Sequence, residues 1–82
     1  MRYHPFILDA LAAHGLRPTA TIAPERLREI VSALYNYELR RLRDRVRGGS
    51  LPIAQLAEEV TTLRKRYPVL SVPLDNWGDD SR

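Results

Sequence analysis

Five arginines, Arg40, Arg41, Arg43, Arg45 and Arg47, crowd into the stretch YNYELRRLRDRVRGG, directly behind Tyr35 and Tyr37. Guanidinium groups recognise phosphates and carboxylates in a planar fork, and interleaved aromatic rings can stack on bases. Several of them converging in a dry pocket can stabilise a charged transition state. The same residues also make an ordinary solvated helix face. The remaining chemistry-bearing residues are sparse. His4 and His14 are the only two histidines. On a helix, ten residues of separation turns their side chains about 80° apart and sets them ~15 Å apart, so with Asp9 they form no metal cage. Ser32, Ser50, Ser71 and Ser81 have no base near them in sequence, and a hydroxyl without one is a weak nucleophile. Gly48-Gly49 follows a helical pattern instead of opening one, so it is no phosphate loop. No two acids share an apolar setting that would push their pKa values apart. There is no cysteine, hence no disulfide and no thiolate metal site. These residues outline no catalytic, cofactor-binding or metal constellation, and the balance leans away from an enzyme.

Composition narrows the field further. Eighty-two residues suit one domain near the lower limit for a self-sufficient core. The net charge of +3 comes from 13 basic and 10 acidic residues, and Lys65 is the sole lysine. Arginine in place of lysine, with abundant alanine and leucine, reads as the codon bias of a GC-rich bacterial genome. The basic signal is discounted accordingly. No apolar run approaches the ~20 residues of a membrane span, and MRYHPFILDALAAHG, interrupted by Asp9, lacks a signal-peptide pattern. The expectation is a cytoplasmic protein without a membrane partner.

The elements that must position these groups are helices. Residues 5–14 read as a short helix, with Pro5 at the first turn and Gly15 as a stop. LRPTATIAP is a connector. Pro24 opens a long helix to about residue 47, ended by Gly48-Gly49. Leu27, Val31, Tyr35, Leu39, Leu42 and Val46 form one continuous stripe. A second apolar row, Ile30, Leu34 and Tyr37, occupies only the first half, and the short helix is expected to cover it. Pro52 starts a third helix over about 51–67, carrying Ile53, Leu56, Val60, Leu63 and Tyr67 at a/d spacing and stopped by Pro68. The fold class is all-α: an antiparallel hairpin of about 24–47 and 51–67, with the short helix packed on it. Residues 1–67 form the three-helix domain and 68–82 an extended tail, apolar and then acidic.

A short link makes the long helices antiparallel neighbours. It sets Val46 beside Ile53, Leu42 near Leu56, Leu39 near Val60 and Tyr35 near Leu63. Arg40 and Arg41 then face Glu59 and Glu58, and Arg40 reaches Asp44 one turn on. Arg43, Arg45 and Arg47 near one helix end, and Arg64, Lys65 and Arg66 near the other, sit where the macrodipole favours cations. The two groups fall ~25–30 Å apart, dispersed toward solvent. Glu38 lies between the apolar rows and is expected to pair with Arg64, with Arg41 or Arg45 as the alternative partner.

The tail concentrates Val69, Leu70, Val72, Leu74 and Trp77 on a segment without helical period. It either folds back in cis or docks onto another chain, for which Trp77 is an anchor type. The leading functional expectation is a small protein–protein interaction module, an accessory, assembly or regulatory subunit. Its contacts are Val72, Leu74 and Trp77 in the tail, with Arg43 and Arg47 at the rim, and self-association is an alternative to a larger partner. A nucleic-acid-binding module using Arg40, Arg43 and Arg47 comes second, and an enzyme acting on an anionic metabolite a distant third.

Overall fold

The computed structural model describes residues 2–78. Three α-helices make up the fold: α1 (Pro5–Ala12), α2 (Pro24–Arg47) and α3 (Leu56–Lys65). A 3-10 turn, Ile53–Gln55, leads into α3, and two more, Pro68–Ser71 and Leu74–Asn76, follow it. The described residues contain no strand, only an isolated antiparallel bridge between Tyr3 and Gly78. None of the described helices is long and apolar enough to cross a membrane.

Local signals set the bounds of α2. Pro24 occupies the first turn, where its missing N–H is not needed, and Glu25 stands against the positive end of the dipole. At the other end Gly49 adopts φ 82°, a left-handed conformation that side chains resist. This lets the Ser50 and Leu51 amides both reach the Arg45 carbonyl, at 2.9 and 3.1 Å. Gly15 (φ 75°) closes α1 in the same way, with the Leu16 amide on the Leu11 carbonyl at 3.0 Å. α1 therefore stops at Ala12, two residues short of the expected end, and leaves His14 in the turn.

α2 and α3 pack along one another as the hairpin. The register differs from the expected one. Pro52 is extended, residues 53–55 form a 3-10 turn, and Ile53 is 75% exposed and does not sit against Val46. Leu51, tied to the end of α2 through its amide, is the residue buried there. The longer link slides α3 along α2 by roughly one helical turn. As a result Tyr67 meets Tyr35 and Glu38, and Leu63 shares a cleft with Leu42.

One core joins α1, α2, α3 and the tail as far as Trp77. Ile7, Ala10 and Leu11 of α1 meet Leu27 and Val31 of α2, Leu63 of α3, Tyr67, and Val69 and Trp77 from the tail. Trp77 is completely buried. Its indole N–H donates to the Val72 carbonyl at 3.0 Å, and its own carbonyl accepts the His4 amide at 3.0 Å. The tail thus folds back in cis, as turns more than as an extended strand. It also changes the role of α1, which packs on the Pro68–Ser71 turn, while both tail turns lie on α2. The second row of α2 is left uncovered, with Leu34 38% and Tyr37 60% exposed. α1 rests on the tail turn and not over the second row of α2, the position the apolar pattern assigned it. The molecule measures 52 × 21 × 17 Å. Its length reflects a hairpin that runs on past the core toward Gly48-Gly49, held there by the half-buried Val46, Leu56 and Val60.

Candidate functional site: an arginine-lined cleft

Glu38, Arg41, Leu42 and Arg45 occupy two successive turns of α2 and form one wall of a cleft of about 140 Å³. Leu63 and Arg66, three residues apart at the end of α3, form the other. Buried Leu63 and half-buried Leu42 supply apolar lining, and the three guanidinium-bearing chains are exposed.

A small polar network holds the Arg66 end in place. His14 Nε2 lies 2.8 Å from the Arg66 carbonyl oxygen. A carbonyl can only accept, so Nε2 carries the proton. The imidazole stacks on the Tyr67 ring with centroids 4.1 Å apart and planes 15° apart, and Tyr35 meets Tyr67 edge-on at 5.4 Å. The Tyr67 hydroxyl donates to Glu38 Oε2. Burial, then the hydrogen bond to Glu38 and its negative charge, push the Tyr67 hydroxyl up to about 12, against a smaller opposing effect of Arg66. The phenol therefore keeps its proton at neutral pH and continues to donate to Glu38. The carboxylate that borders the arginines is thereby engaged on its tyrosine side.

Several expected contacts are replaced. Glu38 and Arg64 do not pair: the slide of α3 brings Tyr67 to Glu38, and Arg64 turns to the far side of Tyr67 beside Tyr35, Leu70 and Ser71. Neither Arg41 nor Arg45 takes its place, since Arg26–Glu29, at 3.0 Å, is the only ion pair among the described residues. The Arg40–Asp44 pair and the pairs of Arg40 and Arg41 with Glu59 and Glu58 are likewise absent among the described residues. The two arginine groups, expected a hairpin's length apart, meet in part: Arg45 of one and Arg66 of the other line the same cleft with Arg41, while Arg43, Arg47 and Arg64 lie outside it.

At about 100° per residue, the arginines of α2 divide between two faces. Arg40, Arg43 and Arg47 form one outward stripe, about 150° around the helix from Arg41 and Arg45. Arg43 and Arg47, expected as rim contacts, are thus exposed but outside the cleft. Val72 and Leu74 are half-buried against the core, and Trp77 offers no surface. The sequence signal that was passed over is the i, i+4 spacing of Arg41 and Arg45, with Glu38 one turn before them. At the end of the other helix, Arg66 follows Leu63 by three residues, a spacing that puts both on one side. Among the described residues no three His, Cys, Asp or Glu side chains gather in a way that could hold a metal ion. Compared with protein-family models, with curated proteins and with solved structures, the chain has no match.

Proposed function

We propose that the chain is a small helical protein–protein interaction module, an assembly or accessory subunit, whose contact face is the second apolar row of α2. The observation carrying this reading is the exposure of Leu34 and Tyr37, 38% and 60%, beside half-buried Ile30 on the same face. This face replaces the tail as the contact surface, because Trp77 is already committed to the chain's own core.

Charge placement favours a second copy of this chain as the partner. In an antiparallel α2 pair centred on Leu34, Ile30 lies within one residue of the level of the partner's Tyr37. Arg40 comes within one residue of the level of the partner's Glu29, and Asp44 within two residues of the level of the partner's Arg26. These four charged residues lie on one flank of the row, and in antiparallel helix pairs like flanks face each other. Both of these near-level oppositions are between unlike charges, as a self-complementary twofold interface favours. A row this short supports a dissociation constant on the order of micromolar. The outward arginine stripe spans only about 10 Å along α2, too little on its own to track a nucleic-acid backbone.

Sedimentation equilibrium tests the proposal. The apparent mass should rise with concentration toward twice the chain mass. Leu34→Arg should abolish the rise with helicity retained. Asp44→Arg should weaken it, and adding Arg26→Asp should restore it. A monomer at every concentration, or a dimer indifferent to Leu34→Arg, would refute the interface.

A further inference from the structure

Among the described residues, the cleft between α2 and the end of α3 has a charge surplus that no ion pair consumes. Arg41, Arg45 and Arg66 border it, no described carboxylate lies within ion-pair distance of any of them, and its one acid, Glu38, accepts the Tyr67 hydroxyl. We propose that this cleft binds the dianionic phosphate group of a small phosphomonoester. Three guanidinium groups against one carboxylate leave two positive charges, matching a dianion. Guanidinium forks suit the oxygens of a phosphate better than they suit a spherical anion. Leu42 and Leu63 lower the local dielectric, which strengthens each charge contact relative to open water.

Size and layout fix the ligand class. A volume of about 140 Å³ admits a phosphate and a short organic stem. A phosphodiester backbone brings one charge per phosphate and needs cations in a continuous track, yet Arg40, Arg43 and Arg47 point to the other side of α2. The Arg66 wall is also braced: its backbone carbonyl is held by His14, itself stacked on Tyr67. That bracing fixes where the Arg66 side chain begins and lowers the ordering cost of binding.

The test is titration with methyl phosphate and, separately, dimethyl phosphate, read through the arginine Nε–H resonances. Methyl phosphate should give saturable shifts at Arg41, Arg45 and Arg66, and dimethyl phosphate should bind about tenfold more weakly. Arg45→Gln with Arg66→Gln should weaken methyl phosphate binding about tenfold or more, whereas Arg43→Gln with Arg47→Gln, the same change in net charge, should alter it less than about threefold. These side chains are exposed, so circular dichroism should show the fold intact in both double variants. Equal losses in the two double variants, shifts that never saturate, or dimethyl phosphate binding as well as methyl phosphate would overturn the assignment. So would preferential binding of duplex DNA with Arg43 and Arg47 as its determinants.

Discussion

Removing the Trp77 side chain tests the central packing claim most directly. The indole is fully buried, belongs to the same core as Ile7, Leu11, Val31 and Val69, and donates to the Val72 carbonyl at 3.0 Å. Truncating a buried Phe or Trp to Ala costs about 3–5 kcal/mol, because transfer energy is lost and a cavity remains. The Val72 carbonyl keeps only a longer contact from Arg28 Nη1, at 3.4 Å. At about 0.05–0.15 kcal/mol per residue, a chain of this length has ~4–12 kcal/mol of stability in total. Trp77→Ala should therefore remove from about a quarter to all of it. Ile53→Ala is the matched control. Helical spacing puts Ile53 in the hairpin seam, but it is 75% exposed, so its loss should cost less than ~0.5 kcal/mol. Urea unfolding followed by far-ultraviolet circular dichroism measures both, since the first substitution removes the only tryptophan. A larger loss for Ile53→Ala than for Trp77→Ala would refute both the packed tail and the shifted register. A wild-type indole emission spectrum characteristic of full water exposure would refute the packed tail alone.

Two further outcomes follow from the contacts of Tyr67. Its hydroxyl pKa is about 12 in the folded chain against an ordinary value near 10. The stabilisation linked to the neutral phenol is then complete below pH ~10 and is lost as pH rises through about 12. Alkaline unfolding curves of wild type and Tyr67→Phe should differ in that window. Because burial is the larger cause and Glu38 the second, Glu38→Gln should lower the tyrosinate titration only part of the way back. Glu38→Ala should cost about 1–3 kcal/mol by leaving a buried phenol without its acceptor, whereas Arg64→Ala should stay within ~0.5 kcal/mol. Thermal melts that ranked these two variants equally would restore the Glu38–Arg64 pair.

The parts of the fold that the sequence made legible are those written in local chemistry. Pro24 and Gly48-Gly49 bound α2 by rules that act within a few residues, and the structure has it at Pro24–Arg47. The hairpin follows from a short link, whatever its detailed path. Register does not, because it depends on how residues 50–55 dispose their backbone, and periodicity assigned Ile53 a place that Leu51 occupies. The cleft was illegible for the same reason: Arg41, Arg45 and Arg66 converge only once α3 has slid along α2. The tail's fate could be narrowed to two outcomes from composition alone. Choosing between them required knowing that α1, α2 and the tail together form a pocket the size of an indole. The uncovered face on α2 followed from that choice.

The uneven placement of burial along α2 has a mechanical consequence. Its two fully buried residues, Leu27 and Val31, lie in the N-terminal third, and beyond Tyr35 its own apolar side chains are half-covered at most, met mainly by α3, with Tyr67 on Glu38 and Leu51 buried at the far end. Unzipping from the glycine end would expose little apolar surface per step, so amide protons should exchange progressively faster from Val31 toward Val46. The chain is then a firm head carrying a springy prong, able to flex at one pole while the other keeps its shape.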